Sequence, residues 1–264
     1  MTTTVRTLAV PFPRAGWSIP ASTVSAGPYL LRFARTESDL DKTLRLRYEV
    51  YHLEQEIGLD QGHATGRDED EFDQSVHHLL IEERDTRAVV ATYRMQTAEM
   101  AAETGFAAGR LFELDALPEP LRSQSVEVGK LCIAKGHRNP RMMHLLWRGM
   151  AGYLLRNHKT IVFGTCALPS QDQSVALAVH RGLERAGATH PTMEIDPLPH
   201  TRCQARPGDP ERELHLPELF QAYLGIGAKV LGPPALDRDF KTTNWLLWVD
   251  TADLDPLTHR AFFQ

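Results

Sequence analysis

The stretch VEVGKLCIA, Val126 to Ala134, runs into KGHRNPR and then MMHLLWRGMAGYLLRNH, and its reading decides the fold. The first part is a strand, and Gly129 inside it marks a bulge or a place where a ligand nears the backbone. Pro140 suits the first turn of a helix, where its missing N–H is no loss. Met142, Leu145, Leu146, Met150, Tyr153 and Leu154 then make one broad apolar face. TIVFGTCAL reads as a buried strand beyond that helix, and Asp172 to Gly187 as a further helix. Upstream, VHHLLIEE and AVVATYRMQ form a hairpin across Arg84 to Arg87. Before it, YLLRFAR (Tyr29 to Arg35) is a first strand, and Ser38 with Asp41 is a capping-box variant. Leu40, Leu44, Leu46, Val50, Tyr51 and Leu53 predict a helix reaching Gly58. A loop from Gly58 to Ser75 ends in DEDEFD, and a variable segment follows the hairpin through Gly109 to Pro120. PELFQAYLGIG from Pro217 is a short helix, and TNWLLWVD a last strand. This order predicts an α/β protein, a mixed sheet with helices on both faces.

At 264 residues the chain is near the upper size of a single core, so one domain is expected. Residues 1–28, broken by Pro11, Pro13 and Pro20, read as an irregular arm without a secretory segment. Hydrophobic residues are 42% and charged residues 24%, and no apolar run approaches the roughly 18 residues that span a bilayer. With 29 Lys+Arg against 34 Asp+Glu, nothing in the overall charge points to nucleic acid. Cys132, Cys166 and Cys203 are too few and too scattered for a disulfide framework, which fits a reducing cytoplasm.

Chemistry has to come from local features. Between Glu127 and Asp172 there is no acidic residue, while Lys130, Lys135, Arg138, Arg141, Arg148, Arg156 and Lys159 are all positive. The unpaired N–H groups of a helix start favour anions, so Lys135 to Arg141 is a candidate phosphate site; a solvated helix face is the alternative. Glu127 beside the strand glycine is a candidate general base if burial raises its pKa, or else half of an ion pair. Asp68, Glu69, Asp70, Glu71 and Asp73 either attract a cationic substrate or are merely solvated. Arg47 and Arg94 fall inside a predicted helix and strand, where buried arginines demand partners, and those acids are the expected ones. Cys132 is expected to be a small core hydrophobe, His77 and His78 alternate to opposite faces, and no metal spacing occurs.

Taken together, LRLRYEVYHLEQE, DEDEFD, VVATYRMQ and VEVGKLCI resemble an arrangement shared by acyl-homoserine lactone synthases and bacterial ornithine-acyl carrier protein N-acyltransferases. FELDAL, RMMHLLWRGMAGYLLRN, IVFGTCALPSQD, LPELFQAYLGIGAKV and DRDFKTTN make the second group the closer resemblance, over roughly Tyr29 to Phe263. The resemblance implies a GNAT-like, mostly antiparallel mixed sheet and a single acyltransferase domain over residues 29–264. It implies transfer of a fatty acyl group, commonly 3-hydroxyacyl, to the α-amine of an amino acid, ornithine foremost, giving a lyso-ornithine-lipid-type product. The donor would be the acyl-phosphopantetheine thioester on acyl carrier protein, with no permanently bound cofactor. Glu127 would be catalytic; Arg47, Glu71, Asp73 and Arg94 would bind the acceptor; Lys130, Ile133, Arg138 and Arg141 would bind the donor. Lys130 stands where the resemblance expects arginine, and the segment from Leu198 to Glu213 departs from the family. An acyl-homoserine lactone synthase using S-adenosylmethionine, and a non-catalytic carrier- or lipid-binding protein, are the alternatives. A cytoplasmic protein with at most peripheral membrane contact is expected.

Overall fold

A computed structural model describes residues 19–21, 23–204 and 216–263, so most of the expected arm and residues 205–213 lie outside the described part. Nine strands form one sheet: β1 (Val24–Ala26), β2 (Tyr29–Phe33), β3 (His77–Glu83), β4 (Val89–Thr97), β5 (Ser125–Ile133), β6 (Ile161–Leu168), β7 (Lys229–Val230), β8 (Ala235–Asp237) and β9 (Thr242–Asp250). Their order is β1-β2-β3-β4-β5-β6-β9-β7, with β8 also on β9. Every pairing is antiparallel except that of β5 with β6, which a helix joins as a crossover. The expected mixed, mostly antiparallel sheet is therefore present.

Helices cover both faces, and the alternation of β4 shows how. Tyr93 joins the core beneath α5 (Pro140–Asn157) with Val126, Val128, Trp147 and Val162, whereas Arg94 on the other face meets Asp70 and Asp73. That second face also receives α1 (Glu37–Tyr48), through Arg47, and the short helices α2 (Gly62–Thr65), α3 (Ala98–Thr104) and α4 (Glu119–Ser123) lie in the connections. α6 (Gln173–Arg185), α7 (Glu218–Gly225) and α8 (Pro256–Phe263) complete the described helices. Pro140 takes the first turn of α5 behind an Asn139 cap, and the apolar face packs on the sheet. Among the described residues no helix is long and apolar enough to cross a membrane.

Four local expectations need correction. The arm contains β1, which pairs with β2, because Gly27 with φ +62° lets the chain double back. The cap of α1 is Thr36 rather than Ser38: its extended backbone lets its hydroxyl accept from Asp39 N–H, while Asp39 accepts from Thr36 N–H. α1 does not continue to Gly58 but widens into π-helical turns over Glu49–Glu54, where His52 packs closely against Gly58 and Gly62. The DEDEFD loop is not solvated throughout, since Asp68 and Asp73 are fully buried.

Candidate active site

The interior glycine of β5 lies in a bulge. On β4, Thr92 pairs with Cys132 and Arg94 with Gly129, so Tyr93 alone opposes Lys130 and Leu131. The left-handed residue is Lys130, with φ +52°, rather than Gly129. Here β5 also leaves its parallel neighbour. Ser125, Val126 and Glu127 pair with Ile161, Val162 and Phe163, and beyond them β6 pairs only with β9. At the parting point a Cβ on Gly164 would stand 2.1 Å from the Val128 carbonyl oxygen, so glycine is required there. A cavity of about 560 Å³ occupies the gap. Its wall holds Glu127, Asp70, Arg94 and Arg110 on the α1 side, and Tyr93, Val128, Val162 and Tyr223 on the α5 side.

Glu127 is the carboxylate at the parting point. It is buried, its Oε2 accepts from Ala107 N–H at 2.8 Å, and its Oε1 accepts from Ala108 N–H at 2.7 Å. Burial raises its pKa; Arg94 and the two N–H groups pull back only part of that shift. No ion pair ties it to a cation within reach among the described residues, so the ion-pair alternative fails on geometry. A carboxylate facing a cavity with a raised pKa is a stronger base than a free one and is suited to take up a proton.

Next to it is a charge network in which anions and cations balance. Arg47, fully buried, gives Nε and Nη2 to Asp68 Oδ1 (2.9 and 2.6 Å) and Nη1 to Asp73 Oδ1 (2.6 Å). Arg94 holds Asp70 at 2.7 Å and Asp73 at 3.2 Å, and Lys130 Nζ holds Asp68 at 2.9 Å. Burial alone would raise Asp68, yet Lys130 and Arg47 hold it well below the usual carboxylate range; Arg47 and Arg94 do the same for Asp73. The expected pairing of Arg47 and Arg94 with the loop acids is what the structure has. Within this set Asp70, Arg94 and Lys130 line the cavity, whereas Arg47 and Asp73 brace it from behind.

Glu71 is exposed, pairs with Arg110 and does not line the cavity; Asp70, one residue earlier, does. Lys130 has its ammonium 3.9 Å from the centre of the Phe240 ring and bound to Asp68, in the charged part of the cavity wall. Ile133 belongs to the apolar core, because the strand alternation after the bulge turns it toward α5. Arg138 donates to the Ile133 carbonyl at 2.9 Å and pairs with Glu54 at 2.6 Å, and neither it nor Arg141 lines the cavity. The acid-free run is thus not an acid-free surface: Lys130, Arg138 and Lys159 each meet a carboxylate from elsewhere, Asp68, Glu54 and Glu99. Cys132 is a buried thiol pushed up to about 12 by burial, and His77 and His78 do part to opposite faces, toward Tyr153 and Asp73. The N–H groups of Ala107 and Ala108, which clamp Glu127, carry no side-chain signal. Gly164 inside IVFGTCAL did carry one, the same that marked Gly129.

The family model for the acetyltransferase (GNAT) domain matches residues 46–148, from the last turn of α1 to the first half of α5. An L-ornithine N(alpha)-acyltransferase of Rhodobacter capsulatus is 30% identical over 255 residues, covering 89% of this chain and 94% of that one. Another of the same description, from Rhizobium meliloti, is 26% identical over 236 residues, 82% of this chain and 78% of its own. Among solved structures, an N-acyl amino acid synthase from uncultured soil microbes superposes with a TM-score of 0.52 at 10% identity, over 86% of this chain and 93% of that one, which supports the fold. The chain is an acyltransferase of GNAT fold and belongs to the L-ornithine N(alpha)-acyltransferase family.

Proposed function

We propose that this protein transfers a fatty acyl group from a carrier-bound thioester to the α-amine of ornithine, with Glu127 as general base. The observation that carries this reading is the cavity through the gap between β5 and β6, charged on the Glu127 side and apolar on the Tyr93 side. An acyl chain belongs on the apolar side and a zwitterionic amino acid on the charged side. The thioester then lies at the parting of the strands, where backbone groups of β5 no longer paired with β6 are open to the amides of a phosphopantetheine arm.

The chemistry is short. The acceptor amine must be neutral to attack; Glu127 takes its proton, directly or through water, and nitrogen bonds to the thioester carbonyl carbon. As the tetrahedral intermediate collapses the carbon–sulfur bond breaks, and the proton that the nitrogen loses on becoming an amide ends on the departing thiolate. An α-amine is less basic than a side-chain amine of about 10.4, so it is the group more easily deprotonated at this site. Base catalysis of this kind contributes on the order of a hundred- to ten-thousand-fold. Lys135 and Arg141, exposed at the start of α5, offer charge to an acidic carrier, with Arg138 partly neutralised by Glu54.

Purified protein incubated with acyl carrier thioester, or with the coenzyme A thioester of the same acid, and ornithine is expected to form the α-N-acyl product by mass spectrometry, faster with the carrier. Glu127→Gln should lower kcat by a hundredfold or more. Its melting temperature should stay within a few degrees, because losing a desolvated charge offsets losing one N–H acceptor. Wild-type turnover in that variant refutes the assignment.

A further inference from the structure

We infer that Asp237 receives a second ammonium group on the acceptor, so that the site selects diamino acids over neutral amino acids of the same length. This rests on reading the cavity as a site of amino-acid acylation. Asp237 ends β8 and lines the same cavity as Glu127. Ala235, two residues earlier, packs with Phe163 and Trp248, and Phe163 is the register partner of Glu127. By strand alternation Asp237 therefore stands on the Glu127 face of the sheet.

Its surroundings are unlike those of Asp70 and Glu127 in the same wall. Asp70 has Arg94, and Glu127 has two backbone N–H groups. Asp237 is met by backbone N–H groups of the turn that follows it, that of Phe240 to Oδ1 at 2.9 Å and that of Asp239, and it pairs with no cation among the described residues. Candidate partners are engaged: Lys130 is bound to Asp68 at 2.9 Å, and Arg238 donates to the His200 carbonyl at 2.8 Å. Burial accordingly pushes the Asp237 carboxyl above the usual range, with the Phe240 N–H and Lys130 only partly opposing it. A half-buried carboxylate held by N–H groups alone, with no cation beside it, is costly unless one arrives. The attacking amine has to be neutral at Glu127, so that cation is a different group, the side-chain ammonium.

The test compares ornithine with norvaline, which has the same carbon skeleton without the second amine, under saturating acyl donor. Wild type should favour ornithine in kcat/KM. Asp237→Asn, which keeps an acceptor for Phe240 N–H, should cut ornithine turnover at least tenfold and leave norvaline unchanged, as expected when a polar group of the site loses its partner. Asp237→Glu, with a longer reach, should restore discrimination and move it toward 2,4-diaminobutyrate. Asp85→Asn, on an exposed turn that does not line the cavity, should keep the wild-type preference. Equal use of ornithine and norvaline by wild type overturns the assignment, as does an equal loss on both in Asp237→Asn. Failure to acylate any amino acid overturns it together with the acyltransfer reading, and is told apart by the absence of product from norvaline as well.

Discussion

Arg47 is buried with none of its side chain exposed, and its guanidinium faces two carboxylates that are equally buried. Its planar fork is the reason one residue serves both: Nε and Nη2 meet Asp68 while Nη1 meets Asp73. Lysine has no such fork. Removing one member of a buried pair leaves an uncompensated charge, which costs about 3–5 kcal/mol. Arg47→Met should therefore lower the unfolding free energy obtained from a urea titration by that much, and Arg47→Lys by nearly as much, although both keep a long side chain. An effect below about 1 kcal/mol, the range of a surface pair, would mean that the network is hydrated in solution. Lys130 shows the converse. It takes a left-handed backbone conformation that glycine tolerates better, yet its ammonium bridges Asp68 and the Phe240 ring, so the strained position carries charge into the wall of the site.

At the scale of elements, the site exists because β5 and β6 part after three paired residues. Gly164 holds that geometry, since any Cβ there meets the Val128 carbonyl. Gly164→Ala should force the strands apart, lowering stability by about 1–3 kcal/mol and activity far more, since in the proposed reaction the parting point is where Glu127 meets the thioester. Activity loss that only tracks the melting temperature would show that the gap has no positional role. The strands and the long helix were readable in the chain because periodicity and Pro140 are local signals, and the bulge because an interior glycine is one too. Other features had no local signal. The fate of DEDEFD depends on Arg47, Arg94 and Lys130, which come from three separate elements, so two acids of a loop that reads as solvated end fully buried. The basic run misled for the same reason: Glu54 and Glu99, far away in sequence, return to it in space. Glu127 was legible as a candidate, but the N–H clamp on its carboxylate was not, because backbone groups leave no mark in composition.

For the whole molecule, burying so many titratable groups sets how the fold responds to acid. Burial pushes His77 down to about 3 and His78 to about 4, so both are held neutral in the folded chain. Asp39 is held at about 2, where the pull of Arg32 and neighbouring N–H groups overcomes burial, and Asp68 and Asp73 lie lower still. For all of these the unfolded chain binds protons more readily than the folded one, so stability is fully present above the unfolded pKa and is lost as pH falls. The histidines act first, between their ordinary 6.5 and about 4, and the carboxylates follow below their ordinary 3.8. Glu127 and Asp237, raised by burial, act in the opposite sense and offset part of the loss. The melting temperature should therefore decline gently from pH 6.5 to 4.5 and steeply below pH 4 at constant ionic strength. His77→Gln should make the first limb shallower, because a group that never charges adds no proton uptake while His78 still does, and leave the second in place. A melting curve level from pH 6.5 to 4.5 in the wild-type protein would show that the histidines take up protons while folded, and that the face of the sheet beneath Tyr153 admits water.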